Sequence, residues 1–519
     1  MERKKMTRGL RAALFSAGMI LAAGMAVAQD GTTLTTVLPA GPTTIDPPAT
    51  VTGDFFPMIT MMTEALTSFD STGALVPALA TEWSSGEDGL HWTFKLRDGV
   101  TFSDGTPFNA ESVKFSLERM LSPDTTNTRP GTLAAIGQVN VVDDLTVDIV
   151  LTRPFAALPA ALSLPNAAIL SPASVTTAPN TMALVTKPVG TGPYMLESFS
   201  SGDELVLVRN DAYWGKAPYY ERQVYLAVPE EGSRLALLRS GEADIISQPP
   251  VSELPALIND PEVAVTFTPT SYMIQMVINT ASESEPRLQD PAVRRALSHA
   301  IDRQTIIDRI LFGAGQMPQS PLAASVFGAC PAGDFSYDPD LARQLLAEAG
   351  AGDLKVELIA PSGRYMQGPL VAQAVAGFLR EVGVDATMGN PTDWATYMSV
   401  LYVPRGEAEH DMGLLGFGAS YNDPSQALSL FQGTNIPPAG FNAAGYQNPK
   451  VDRLMTDALA AADPAVRADL YCQVQQILVE ESPSLWLYVQ SAPIISSVEV
   501  TGIDAINLWF VTTYAHPVE

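Results

Sequence analysis

Five times in this chain an aspartate or asparagine stands directly before a proline at the head of an amphipathic run: Asp290-Pro291, Asp338-Pro339, Asp423-Pro424, Asn448-Pro449 and Asp463-Pro464. Such a side chain accepts hydrogen bonds from the first amides of a helix, and proline at the first helical position gives up no bond that the helix needs. Each pair therefore predicts a helix start. Val293, Ala296, Leu297, Ala300, Ile301 and Ile307 form one apolar stripe, and Leu341, Leu345, Leu346 and Ala349 form another, closed by Gly350. Short strands are predicted between the helices, at residues 205–208, 224–228, 263–267, 273–278 and 356–360. Helices and strands mixed in this way argue for α/β lobes, and 519 residues suffice for about three units of 100–200 residues each.

Residues 80–107, ALATEWSSGEDGLHWTFKLRDGVTFSDGTP, carry a different pattern. Trp92, Phe94 and Leu96 alternate with Thr93, Lys95 and Arg97, the period of a half-buried strand. Asp98-Gly99 is a tight-turn dipeptide, Val100 and Phe102 resume the alternation, and Asp104-Gly105 turns again, so the unit reads as a hairpin. Asn109 then caps a helix with Glu111 in its first turn and Val113, Leu117 and Met120 on one stripe.

The same residues resemble the signature of the family 5 extracellular solute-binding proteins, the receptors of peptide and nickel ABC importers. The resemblance rests on Trp83, the Trp92-x-Phe94-x-Leu96 strand, Arg97-Asp98-Gly99, Phe102 and Asp104-Gly105-x-Pro107. Further blocks follow in the family's order: Ile45-Asp46-Pro47, PVGTGPY at 188–194, RNDAYWG at 209–215, GEADI at 241–245, DPAVRRALSHAIDR at 290–303 and YDPDLARQLLAEAG at 337–350. The resemblance implies a two-lobed periplasmic-binding-protein fold of the cluster C type. Its first lobe would span residues 29–268 plus 488–519, with an inserted subdomain at about 53–187, and its second lobe residues 269–487. Two chain crossings would then form a hinge on which the lobes close around a solute.

Arg3, Lys4, Lys5, Arg8 and Arg11 precede an apolar run from Ala12 to Val27 that ends in Ala26-Val27-Ala28. This is the pattern of a secretory signal peptide over residues 1–28, which places the mature chain in the periplasm from Gln29 onward. No cysteine stands at the cleavage site to carry a lipid. The leader holds five of the 30 basic and one of the 56 acidic residues, so the mature net charge is −30. Such a surface disfavours nucleic acid and anionic lipid, and no later apolar run is long enough to span a bilayer. Cys330 and Cys472 can form one bridge in an oxidising compartment or remain a pair of buried thiols; the sequence leaves both open. The four histidines, His91, His299, His410 and His516, lack metal-ligand spacing, and no cofactor is expected.

Ligand contacts are expected at GFGASYNDP, residues 416–424, where glycines flank aromatic residues as in a backbone-lined pocket. The candidates are Phe417, Gly418, Ala419, Ser420, Tyr421 and Asp423. In the family's peptide receptors an aspartate that pairs with the peptide α-ammonium stands where this chain has Ser420, and a hydroxyl compensates an ammonium's desolvation only weakly. Asp423 is either a substitute for it or the cap of the helix after Pro424. Trp394 and Tyr397 resemble residues of a pocket-lining helix, with core packing as the alternative; Tyr272 and Arg364 complete the set, Arg364 as a carboxylate binder. The expected partners are a peptide or peptide-like solute and an inner-membrane ABC permease, with the receptor acting as a monomer. A metal chelate, opine or small oligosaccharide is the alternative solute. An enzyme finds little support, since no Gly-x-Ser-x-Gly, HExxH or P-loop motif occurs.

Overall fold

The computed structural model describes residues 32–50, 55–128, 131–175, 185–506 and 509–518. The leader at 1–28 and the expected start of the insertion at residue 53 lie outside these.

All five Asx-Pro pairs head helices: Pro291–His299, Pro339–Glu348, Pro424–Leu428, Pro449–Ala460 and Pro464–Glu481. In each, the side chain before the proline accepts from a first-turn amide. Gly350 follows the second helix at φ +66°, a conformation that glycine adopts without steric penalty. Ile307 does not extend the first stripe as expected. The helix stops at His299, and the Asp302 side chain accepts from the Thr305 amide to cap a new start at Arg303–Thr305, which runs into a π turn at Ile306–Ile310. A local side-chain bond has offered the backbone a second N-terminus.

One sheet of 11 strands runs through the molecule. From one edge to the other its order is Asp385–Met388, Lys355–Ile359, Met412–Phe417, Val263–Ile278, Ser484–Ser497, Ile245–Ser247, Thr33–Leu38, Arg222–Ala227, Glu204–Arg209 and Tyr194–Ser200. Gly315–Gln316 adds to Ser484–Ser497. The predicted strands at 263–267 and 273–278 are one 16-residue strand, antiparallel to Ser484–Ser497 throughout. Its ladder is interrupted where the first half of the sheet meets the second: Pro269 pairs with Ser491 and Met273 with Val489, so Thr270, Ser271 and Tyr272 face Gln490 alone. Extra residues on one strand bend it locally.

Beyond this bulge, alternate residues serve opposite cores. Ile274, Met276 and Ile278 pack with the helices Pro291–His299, Pro339–Glu348 and Gly368–Glu381, whereas Met273 and Val277 pack with Pro449–Ala460 and Pro464–Glu481. Both faces of this half, which mixes parallel and antiparallel pairings, are therefore covered by helices. On the other side of the bulge, smaller cores around Leu205 and Val37 fill the first half.

A separate antiparallel sheet of four strands, Ala80–Ser85, His91–Leu96, Thr146–Leu151 and Ile136–Asp143 in that order, packs with the helix Ala110–Leu121 over its own core. Asn109 caps that helix through a reciprocal box with Ser112. The expected hairpin needs correction. Gly99 and Gly105 do turn, at φ +74° and +83°, but His91–Leu96 pairs with Ala80–Ser85 and Thr146–Leu151 and not with residues 100–102. Val100 and Phe102 instead enter a compact loop in which the Phe108 amide donates to the Val100 carbonyl and the Phe102 amide to that of Thr106.

Candidate ligand-binding site

The strand Met412–Phe417 runs antiparallel to Val263–Ile278 with Phe417 opposite Met273, so the loop that leaves it emerges beside the bulge. In α/β sheets ligands bind outside the carboxyl ends of strands, which is where this loop lies. Backbone contact is close here. A Cβ on Gly416 would lie 2.8 Å from the rings of both Tyr272 and Tyr365, and one on Gly418 would lie 2.7 Å from Ser271 Oγ. Glycine is thus required by space at both positions. Ser271 Oγ accepts from the Ala419 amide at 2.9 Å, and the Ser420 amide donates to Gln426 Oε1 at 2.6 Å. The backbone around Ser420 is anchored from both sides, with Phe417 and Ser420 half-buried.

Next to the loop stands an aromatic group around a cation. Arg364 is exposed, and its Nη2 donates to the Tyr272 hydroxyl at 3.0 Å. Its guanidinium carbon lies 5.1 Å from the Trp394 ring centre and 5.6 Å from that of Tyr365. Trp394 reaches this place because Asp393 caps the helix Trp394–Leu401 and sets it at the first turn, edge-on to Tyr365 with ring centres 6.0 Å apart. An arginine held over aromatic faces keeps most of its donors directed outward, which suits a carboxylate. Tyr365, next to Arg364 in sequence, is buried, and desolvation pushes its hydroxyl above the usual tyrosine range.

Three expected ligand residues are engaged elsewhere. Tyr397 is 1% exposed, donates to the Leu414 carbonyl at 2.8 Å and stacks beneath Trp394; it packs the wall from behind. Asp423 is 2% exposed. One of its oxygens accepts from the Ser425 amide and the Tyr471 hydroxyl, and the other from Arg467 Nη2. Capping and a buried ion pair leave it unavailable as a substitute for the missing ammonium partner. Tyr421 turns away from the loop into the core under the four-stranded sheet, where burial raises its hydroxyl pKa. Sequence patterning gives no sign of Arg467, 44 residues from its partner, and little of Asn422, which lies at φ +53°. Asparagine's tolerance of the left-handed region was the one available clue to the latter.

Cys330 and Cys472 form a disulfide with Cα atoms 5.7 Å apart. It fixes the segment before Cys330 to the helix Pro464–Glu481, where Gln475 accepts from the Cys330 amide and donates to the Gly328 carbonyl. That segment in turn meets the loop, since the Phe327 amide donates to the Asn422 carbonyl.

Residues 74–437 match the family described as bacterial extracellular solute-binding proteins, family 5 middle. The chain belongs to this family. Family 5 relatives include the glutathione-binding proteins GsiB of Pectobacterium atrosepticum and Salmonella typhimurium. Both are 30% identical to this chain, over 443 and 441 residues respectively, or 85% of each chain. Among solved structures, HbpA2 of Haemophilus parasuis superposes with a TM-score of 0.82 at 25% identity, covering 94% of this chain and all of the other. NikA of Brucella suis in complex with Fe(III)-EDTA superposes at 0.81 with 26% identity and the same coverage. This family 5 chain is thus a two-lobed α/β solute-binding receptor of the ABC-transporter type. Among the described residues no helix is long and apolar enough to cross a membrane.

Proposed function

We propose that this receptor works in the periplasm, after loss of residues 1–28, and captures a small peptide or peptide-like solute through a carboxylate that meets Arg364. The observation that carries this reading is the outward-facing guanidinium, steadied by the Tyr272 hydroxyl and the Trp394 and Tyr365 rings, at the mouth of the loop that carries Phe417, Gly418, Ala419 and Ser420. With Ser420 in place of an aspartate, the site favours a solute recognised by its acid groups over one recognised by its ammonium. The glutathione-binding relatives at 30% identity support the same class. The lobes, residues 29–268 with 488–519 and residues 269–487, close about the bulge at Thr270–Tyr272. The solute is then handed unchanged, by a monomeric receptor, to an inner-membrane permease.

The test is thermal shift with glutathione, neutral free-amino dipeptides, opines, oligosaccharides and Fe(III) or Ni(II) chelates. A solute at 100 times its Kd adds about 2.7 kcal/mol of stability. Glutathione or another acidic peptide should raise Tm, and Arg364→Ala should abolish the rise. Stabilisation by sugars alone overturns the reading. Ser420→Asp should strengthen binding of neutral free-amino peptides about ten-fold or more, the worth of one charge-assisted bond. The likeness to the Fe(III)-EDTA-bound structure favours a second reading, an anionic metal chelate on the same arginine, which the chelate arm distinguishes.

A further inference from the structure

The loop at residues 417–424 touches more than its own half of the molecule. Asn422 Nδ2 donates both to the Ser325 carbonyl, at 3.0 Å, and to the Gly73 carbonyl, at 2.8 Å. Ser325 belongs to the disulfide-braced segment on the loop's own side of the bulge. Gly73 lies in the turn between the strands Thr67–Phe69 and Leu75–Pro77, on the chain's first pass and outside the main sheet. The approach leaves no slack, since a Cβ on Gly73 would stand 2.8 Å from both Asn422 Nδ2 and the Ser325 carbonyl oxygen. The neighbouring side chain, Tyr421, is buried in the core of the four-stranded sheet. A second strut runs alongside: the Ala156 amide donates to the Leu459 carbonyl at 2.9 Å, and Leu459 packs on that same core. These contacts join segments on either side of the bulge, in addition to the two crossing strands.

We infer that Asn422 is a positioning residue for solute capture, a latch that holds the two lobes together before solute arrives and sets the loop carrying Ser420 against the first lobe. The inference rests on the two-lobe closure proposed above. The side chain suits the task for three reasons. Its left-handed backbone aims the side-chain amide across the gap, its two N–H groups match two carbonyl acceptors, and the main-chain carbonyl of the same residue accepts from the Phe327 amide behind it. A latch of this kind raises affinity by lowering the cost of ordering the site.

Two variants of the full mature chain separate the side chain from the backbone. Asn422→Gly keeps the left-handed conformation and removes both donors, and Asn422→Asp keeps the shape but turns an acceptor toward two carbonyl oxygens. Small-angle scattering without solute should show the wild type compact, in the arrangement described here. Loss of the Asn422–Gly73 bond should lower the closed-to-open ratio on the order of ten-fold. Asn422→Gly should therefore expand the ensemble with little change in Tm, and Asn422→Asp should expand it further. Kd for glutathione should weaken in the same order. If all three proteins scatter alike and bind glutathione equally, the latch is wrong and the receptor reading stands. If the variants expand while glutathione binds none of them, the latch holds and the solute assignment is what fails. An expanded wild type without solute overturns the latch outright.

Discussion

The segment at 80–107 and the loop at 416–424 both mix aromatic residues with glycine, but their shapes are fixed over different distances. In the first, Ala80–Ser85 and His91–Leu96 pair across a short turn, and Phe94 packs between Trp83 and Trp92 with ring centres 6.5 and 6.4 Å away. In the second, the partners are remote in sequence: Ser271 and Gly73 lie 148 and 349 residues away, and Arg467 is 44 residues on. The first region is architecture that could be transplanted with its neighbours, whereas the second exists only when the whole chain has assembled. A signature built from local pairings can therefore name a fold while leaving its ligand unstated.

The contrast can be broken by substitution. Phe94→Ala should cost about 4 kcal/mol, the loss expected for a fully buried phenylalanine, as read by chemical denaturation. Any molecules still folded should bind solute with at most a small rise in Kd, carried through Tyr421, which shares this core; a loss of affinity as large as that of Arg467→Met would mean that the four-stranded sheet shapes the site. Arg467→Met should cost about 3 kcal/mol by stranding Asp423 as a buried charge, and here affinity should fall too, because the loop loses its anchor. Equal Kd for this variant and the wild type, by calorimetry, would show the loop to be held without the ion pair.

A pH dependence sharpens the same comparison. His410, buried just before the strand that feeds the loop, has its pKa lowered to about 4 by desolvation, against 6.5 for a free histidine. The unfolded chain takes up a proton between these values and the folded chain does not, so this group's contribution to stability falls as pH drops from about 6.5 to about 4. The loss is on the order of 2–3 kcal/mol. Hydrogen exchange at pH 5 should show Met412–Phe417 deprotected before His91–Leu96, and His410→Gln should remove the difference.

What could be read from sequence follows the same division. Helix starts at Asx-Pro and turns at Gly99 and Gly105 depend on residues within a few positions of one another, and they appear where expected. Strand partners depend on the rest of the chain: the alternation of Val100 and Phe102 signals burial, which the structure has, but not the pairing, which it lacks. The loop at 416–424 stands out by composition, but the engagement of its members is not legible. Nothing near Asp423 announces Arg467, nothing near Tyr397 announces the Leu414 carbonyl, and the join between Cys330 and Cys472 needed their Cα atoms placed 5.7 Å apart.

The bulge at Thr270–Tyr272 interrupts a ribbon of two antiparallel strands, and such a ribbon is not equally compliant in all directions. Bending within its plane would stretch one strand against its ladder of hydrogen bonds, whereas flexing out of the plane only swings the amides about their axes. The junction is therefore a leaf spring with a single soft coordinate. The closure proposed above would then follow one arc, so that one well-chosen distance across the molecule should report its whole conformational state.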